Sequence, residues 1–345
     1  MNALIQPTGK PYRFSVAPML DRTDRHFRLL FRQISLHSLL YTEMVVAQAL
    51  HHARRRPGAV TPGSSGLERL IGFDPQERPL ALQVGGDDPV LLAEAAQLAA
   101  DWGYDEINLN VGCPSEKVQK GRFGACLMAH PALVARCVEA MARAGPLPVT
   151  VKHRIGIDAQ DSYRELLNFV DIVSAAGCRR FAVHARKAWL HGLDPRQNRT
   201  IPPLRYEFVE QLKLDRPALR IELNGGLQTL ESCQQQLIRV DGVMVGRAAY
   251  EHPLRWAGVD ASIHGDGSRP AATASAVVRG LIPHAERWRS RGDRLWPIAR
   301  HLVHVVEGVS GARHWRAALT REASARHAGP EVLEAAARRL EERGL

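Results

Sequence analysis

The sequence predicts a (β/α)8 barrel followed by a small helical domain. Eight short apolar runs recur, at 13–19, 38–45, 80–86, 106–114, 148–156, 180–186, 220–226 and 242–248. Segments with apolar residues at helical spacing separate most of them, among them 89–102, 131–144, 162–176 and 230–239. Strands that alternate with helices pair in parallel through right-handed crossovers. Each run also carries polar residues or glycine near its end, and the C-terminal strand ends are where barrel enzymes keep their chemistry. An open doubly wound sheet is the rival fold, but no G-x-G-x-x-G follows the first run.

A chain of 345 residues accommodates one large domain and a small one. Its 45% hydrophobic and 24% charged content is that of an ordinary globular protein. No apolar run approaches the ~20 residues that span a bilayer, so no membrane partner is expected. The first 14 residues, MNALIQPTGKPYRF, lack an apolar signal core, so export is not expected. The five cysteines, at 113, 126, 137, 178 and 233, are odd in number and have no framework spacing. Reduced thiols in a cytoplasmic protein fit this usage. The net charge of +10 and the pI of about 9.8 favour a polyanionic partner, nucleic acid above all. No obligate protein partner is implied, and a monomer is expected.

The strand ends carry a consistent polar set. Pro18, Met19, Leu20 and Asp21 close the first run, Glu43 the second and Gln83 the third. Asn110 and Cys113 close the fourth, Lys152 and Arg154 the fifth, His184 and Arg186 the sixth. Asn224, Gly225 and Gly226 end the seventh, and Gly246 and Arg247 the eighth. The barrel domain is expected to span 1–256. Residues 257–270, GVDASIHGDGSRPA, are rich in Gly, Asp and Ser and have the composition of a linker. Residues 271–345 contain no strand-like run, and helices are expected at 273–289, 295–309 and 330–342. Arg300, His301, Arg313, His314 and Arg316 with Trp315 form a basic and aromatic cluster there, unless they are a solvated helix face.

The fourth run is the centre of the chain. In EINLNVGCPSEKVQKGRFGACLM, Ile107, Leu109 and Val111 alternate with Asn108 and Asn110. Asparagine is unfavourable in a strand unless something uses its amide. Cys113 follows between Gly112 and Pro114, and the loop beyond carries Lys117, Lys120 and Arg122. Taken by itself the segment fits a structural cysteine in a βα turn; its surroundings shift the balance towards chemistry.

Glycines after the seventh and eighth strands form a phosphate-site pattern, since they let backbone N–H groups approach an anion. Lys152 and Gln83 then suit a flat, polar heterocycle on that phosphate, and flavin mononucleotide fits. His184 is placed to cap a phosphate or contact substrate, or it is a satisfied core histidine. No H-x-x-x-H or C-x-x-C spacing is present, and no metal site is expected. G-x-S-x-G and P-loop motifs are absent too.

The stretches RFSVAPMLDRTDRHFR, ALQVGG, INLNVGCPSEKVQKGRFGACLM, VTVKHRIGID, ELNGG and VMVGRAAY together resemble the flavin-dependent tRNA-dihydrouridine synthases. VHARKAWLHGLDPRQNRTIPPLRY resembles the A subfamily in particular. The resemblance runs from residue 13 to about 256, and RHLVHVVEGVSGARHWR extends it into the helical region. Arg22 stands where an aromatic residue would be expected.

That resemblance implies reduction of the C5–C6 double bond of a D-loop uridine in tRNA, at position 20 and also 20a, with NADPH reducing the flavin. By motif it assigns flavin binding to Ala17, Pro18, Met19, Gln83, Lys152, His184, Asn224, Gly225, Gly226, Gly246 and Arg247. Cys113 is assigned as the acid that protonates C5, and Asn110 as a contact to the substrate nucleotide. Residue chemistry agrees with the acid: hydride addition at C6 leaves an enolate, and a thiol with a reference pKa of about 8.5 is mostly protonated at neutral pH. A base inside folded RNA must be flipped out at a cost of a few kcal/mol, which phosphate contacts have to supply. Arg196 with Arg199, and Arg313 with Arg316, are the expected tRNA contacts.

Two rivals remain at this level. One is a flavin barrel acting on a small pyrimidine, of the dihydroorotate- or dihydropyrimidine-oxidoreductase type, which leaves the basic helical appendage unexplained. The other is an RNA-binding protein on a catalytically dead barrel, against which Cys113, Lys152 and the glycine loops argue.

Overall fold

The computed structural model describes residues 12–55 and 66–345. Residues 1–11, most of the N-terminal stretch that lacks an apolar signal core, lie outside them. Nine strands follow in chain order: β1 Phe14–Val16, β2 Leu40–Tyr41, β3 Val45–Val46, β4 Leu80–Gly85, β5 Glu106–Val111, β6 Val149–Arg154, β7 Arg180–His184, β8 Arg220–Asn224 and β9 Gly242–Val245. They form one sheet in the order β1-β9-β8-β7-β6-β5-β4-β2, with β3 also on β4. All named pairings are parallel. Ser15 bridges Leu39 in parallel, and Leu39 N–H donates to Phe14 O at 3.1 Å while Val16 N–H donates to Leu39 O at 3.0 Å. These bonds close the ring, so the fold is the (β/α)8 barrel that the alternating runs predict.

The second barrel strand is interrupted rather than continuous over 38–45. Both β2 and β3 pair with β4, at Leu40↔Leu80 and Val45↔Val84. Between them Thr42 Oγ1 takes the N–H of Gln83 at 3.0 Å, which substitutes a side chain for a ladder bond. The break carries Glu43 to the strand end, where its Oε1 accepts the N–H of Asp21 at 2.5 Å.

The outer helices start where side chains satisfy their first N–H groups. Asp88 Oδ1 accepts from Val90 and Leu91 at the head of Pro89–Asp101, and Ser162 with Glu165 forms a capping box for Tyr163–Ala175. Helix Pro131–Ala144 buries Val134, Cys137, Val138 and Met141. The helix expected at 230–239 is shorter, Leu230–Gln236.

The barrel interior holds charge as well as apolar side chains. Arg180 lies between two carboxylates, donating to Glu106 Oε2 at 2.7 Å and Glu222 Oε2 at 2.9 Å. Ser15 and Tyr41 hydroxyls donate to Glu222 and Glu106 at 2.6 and 2.8 Å, and Thr150 donates to Glu106 at 2.6 Å. All six residues are buried. Charges out of water require such complete pairing.

Residues 257–270 connect the barrel to the C-terminal helices and are fastened to the barrel. Asp260 accepts the Ser35 hydroxyl at 2.5 Å and the Leu36 N–H at 2.7 Å, and Asp266 meets His37 at 2.6 Å. Beyond lie Ala274–Gly280, Ile282–Ser290, Trp296–Leu302, Ala312–Ser324 and Glu331–Glu341. The helix expected at 273–289 is broken at Leu281 (the second piece begins with Pro283 in its first turn), and the one expected at 295–309 ends at Leu302.

The expected basic cluster divides into two populations. Arg300 donates to Asp24 Oδ2 at 2.5 Å, and His301 Nε2 lies 3.0 Å from Asp24, so both fasten the helical region to helix Arg25–Ile34 at its N-cap. Trp315 is buried, with its indole N–H on Ala336 O at 2.9 Å. Arg313, His314 and Arg316 remain exposed. All five cysteines are free thiols. Among the described residues no helix is long and apolar enough to cross a membrane.

Candidate active site

The two strand asparagines explain how the cysteine is held. Asn108 accepts from Gln83 Nε2 at 2.8 Å and donates to Thr150 Oγ1 at 2.8 Å. Asn110 Nδ2 donates to Gln83 Oε1 at 2.9 Å, and its Oδ1 accepts the N–H groups of Gly112 and Cys113 at 3.1 and 3.0 Å. A buried polar chain therefore runs from Arg180 through Glu106, Thr150, Asn108, Gln83 and Asn110 to the backbone of Cys113. Asn110, expected to touch substrate, is buried and has its oxygen committed to this loop. Gln83, expected at a ring edge, is buried, with both ends of its amide bonded inside the chain.

Cys113 itself is half-buried, its Sγ 3.6 Å from Ser115 Oγ. Its carbonyl accepts from Ala125 N at 2.8 Å. Gly124, at φ +77°, permits this approach, since a Cβ there would lie 2.5 Å from that carbonyl. Two further side chains complete the support. Arg154, buried at the end of β6, donates to Gly112 O at 2.9 Å and also to Lys187 O and Asn198 O at 2.9 and 3.0 Å. Gln119, on helix Glu116–Lys120, donates to Pro114 O at 2.9 Å and Leu190 O at 2.8 Å. Both neighbours of the thiol are thus pinned.

Beside it stands a cluster of cations. Lys152 Nζ donates to Asn224 Oδ1 at 3.1 Å, and Asn224 Nδ2 donates to Met244 O at 2.7 Å, which joins β6, β8 and β9. Burial, reinforced by Arg154, pushes the Lys152 ammonium down to about 8. Burial and the neighbouring cations push Arg154 down to about 10 and hold His184 well below the usual imidazole range. Arg186 is lowered as well, by burial and by Arg247, and Arg199, exposed over much of its surface yet partly desolvated at the rim, is lowered by that desolvation and by Arg247. Cations that depress one another create a strongly positive potential, which an anion relieves.

The glycine turn provides backbone for such an anion. Gly225 and Gly226 have φ of +110° and +77°. A Cβ on Gly225 would lie 2.7 Å from the His184 ring, and one on Gly226 would lie 2.5 Å from Leu204 and 2.7 Å from the Tyr206 hydroxyl. Tyr206 fixes the turn by donating to Gly225 O at 2.6 Å. Arg186, whose pKa responds to Tyr206 and Arg247, has a buried Nε with no partner. Across the rim, Ala17 N–H donates to Val245 O at 2.8 Å, and Gly246 lies against Ala17 and Met19. Pro18 is half-buried beside them, and Arg247 reaches Arg199 O at 3.5 Å.

The expected flavin residues lie at the ends of the adjacent strands β6, β7, β8, β9 and β1, with Gln83 on β4, whose amide keeps one hydrogen and one lone pair beyond its bonds to Asn108 and Asn110. Arg196 and Arg199 are exposed on the loop after β7, and Arg313 and Arg316 on helix Ala312–Ser324. Arg154, Gln119 and Arg186 stand at the site without having been given a role by the motifs. A strand-end position marked the two arginines, while nothing local marked Gln119. A cavity of about 530 Å³ lies apart from all of these, between Arg255, His304 and Val309.

A parallel barrel with a pinned thiol next to a cationic, glycine-lined rim has the layout of a (β/α)8-barrel enzyme, with its polar groups gathered at the C-terminal strand ends. Among proteins of known fold, a 2-naphthoyl-CoA reductase complex superposes with a TM-score of 0.53 at 10% identity, over 72% of this chain and 49% of that one. That likeness concerns the fold. The profile of the family described as dihydrouridine synthase (Dus) matches residues 15–341. A Synechocystis sp. protein is 56% identical over 322 residues, covering 93% of this chain and 92% of its own. Proteins of Shewanella oneidensis and Escherichia coli K12 are each 50% identical over 323 residues, covering 94% and 93% of this chain and 92% and 90% of their own. All three are named tRNA-dihydrouridine(20/20a) synthase. The chain belongs to the dihydrouridine synthase family and is an enzyme.

Proposed function

We propose that this enzyme reduces the C5–C6 double bond of uridine 20, and also 20a, in the tRNA D-loop to 5,6-dihydrouridine, with FMN as cofactor and NADPH as reductant. The observation that carries this reading is the thiol of Cys113, held by Asn110, Arg154 and Gln119 next to the Lys152 and Asn224 pair. It is supported by relatives of that name over nearly the whole chain. The rim fits FMN: Gly225 and Gly226 leave backbone space that a side chain would fill, and cations surround it. Ala17, Pro18, Met19, Gln83, Lys152, His184, Asn224, Gly225, Gly226, Gly246 and Arg247 would hold the cofactor. When bound, it supplies the hydride that adds to C6 of the uracil.

Cys113 gives its S–H proton to C5 on the opposite face and is reprotonated from solvent. A positioned acid is typically worth ~10²–10⁴ in rate. Lys152, cationic at neutral pH, stabilises negative charge in its vicinity. Asn110 keeps the thiol segment aimed at the mouth and still has an amide hydrogen to offer the nucleotide. Residues 1–256 form the catalytic domain, 257–270 the connection and 271–345 the tRNA-binding domain. Arg196, Arg199, Arg313 and Arg316 draw the phosphates in, and this binding drives extrusion of the base. The enzyme would act as a cytoplasmic monomer.

The test is to incubate purified protein with NADPH and unmodified tRNA and to map dihydrouridine at positions 20 and 20a. The reading requires product at those positions; reduction of free pyrimidines alone would favour the small-molecule rival.

A further inference from the structure

Trp189 sits on the loop after β7 and is 39% exposed, unusual for so large a ring. Its backbone is immobilised. Lys187 O accepts from Arg154, Ala188 N–H donates to Gly156 O, and Ala188 O accepts from Asp158 N. Trp189 N–H donates to Asn198 Oδ1 at 2.8 Å, and Trp189 O accepts from Asn198 Nδ2 at 2.9 Å. Leu190 N–H donates to Asp158 Oδ1, and Leu190 O accepts from Gln119. Every backbone polar group from Lys187 O to Leu190 O is therefore bonded, and Asn198, which does much of this, is fully buried. The Lys187 ammonium lies 4.1 Å from the indole centroid and is itself held by Asp158 O and Asp161.

We propose that Trp189 is a fixed stacking platform for a nucleobase next to the target uridine. This rests on the reading of tRNA as substrate. A rigid backbone presenting an aromatic ring to solvent loses little entropy when a flat ligand arrives, which is what preorganised recognition requires. An unstacked base is such a ligand, and base–aromatic stacking is sequence-tolerant. The location agrees. Arg154 and Gln119, which pin Gly112 and Pro114 on either side of Cys113, are the same side chains that bond Lys187 O and Leu190 O. The backbone that carries the ring is thereby tied to the segment that carries the thiol. Arg196 and Arg199 are exposed on the same loop, so a nucleic acid strand suits it better than an uncharged aromatic ligand. Extruding the target uridine unstacks its neighbours, and a ring at this place offers one of them a new partner.

The experiment measures tRNA binding by filter retention over a range of salt for wild type, Trp189→Ala and Trp189→Phe. The alanine variant should bind about tenfold or more weakly, phenylalanine should recover most of that loss, and flavin content should be unchanged in both. The slope of log affinity against log salt should not change, because a neutral ring releases no counterions. Alanine-variant affinity within about twofold of wild type would overturn the proposal. If alanine destabilises the fold, the fluorescence difference between wild type and Trp189→Phe reports on the ring alone. Stacking requires saturating tRNA to quench that emission, and unquenched emission overturns the idea equally. Wild-type protein that neither binds tRNA nor forms dihydrouridine would instead remove the functional reading, and this proposal with it.

Discussion

The side-chain oxygen of Asn110 accepts the amide hydrogen of Cys113 at 3.0 Å, while the nitrogen of the same amide donates to Gln83. One residue therefore ties the proposed acid to the buried polar chain of the barrel. Replacing Asn110 by Ala leaves the N–H groups of Gly112 and Cys113 without their acceptor, a loss of about 1–3 kcal/mol. Turnover should fall about tenfold or more with flavin content retained. Asn110→Asp keeps the acceptor but faces Gln83 Oε1 with a second oxygen, and should lie between. Single-turnover rates of dihydrouridine formation check the order.

Gly226 lies at φ +77° with Leu204 and Tyr206 closer than a Cβ tolerates. Gly226→Ala should strain the turn and shift Tyr206, which holds Gly225 O. The purified variant is expected to carry much less flavin per chain than wild type, as read from visible absorbance. Full flavin occupancy would remove the turn from the proposed cofactor site.

Arg196, Arg199, Arg313 and Arg316 are expected to contribute through counterion release. Neutralising one phosphate fewer should reduce the salt slope by about 0.7–0.9. Reversing all four charges should therefore flatten the salt dependence of tRNA binding markedly, and reversing Arg196, Arg313 and Arg316 alone, away from the rim cations, should leave bound flavin untouched. An unchanged slope would place the tRNA elsewhere on the surface.

Acid should loosen the junction between barrel and helices. His26 and His284 face each other at 2.8 Å, both buried, and desolvation pushes them down to about 3 and about 4. Each is neutral when folded but takes a proton when unfolded below its ordinary pKa near 6.5. Their contribution is complete above about pH 6.5 and is lost as pH falls towards 4. Asp24 acts in the same sense: burial opposes its ionisation, but hydrogen bonding by His301 holds it low, so its stabilisation too is lost in acid. Arg25, Arg287, Arg291, Arg300 and Asp74 also face the group. Stability at pH 5 should be lower than at pH 7 by about 1–2 kcal/mol or more, seen as a melting midpoint lower by several degrees. A midpoint independent of pH over that interval would contradict this.

The barrel was legible because period-2 apolar runs and polar strand ends are local properties, visible at Ile107, Leu109 and Val111 or at Lys152 and His184. The same signals located Cys113 and the glycine turn. The roles inside the fold were not legible, because they depend on partners far away in sequence. Asn108 and Gln83 meet only when β4 and β5 pair, and Arg180 meets Glu106 and Glu222 only across the closed barrel. Arg300 and His301 look like surface charge until Asp24, some 276 residues earlier, is brought beside them. Helix Ala312–Ser324 carries little local signal because its mean hydropathy is low and its buried stripe is narrow: Ala312, Trp315, Leu319 and Ala323.

The central claim concerns one proton, and Cys113→Ala tests it most directly. The measurement is dihydrouridine formed per enzyme with saturating NADPH and tRNA, alongside flavin content and tRNA affinity of the same preparation. The account predicts turnover reduced by about 10²–10⁴ with both binding measures near wild type. Near-normal turnover in that variant would contradict it.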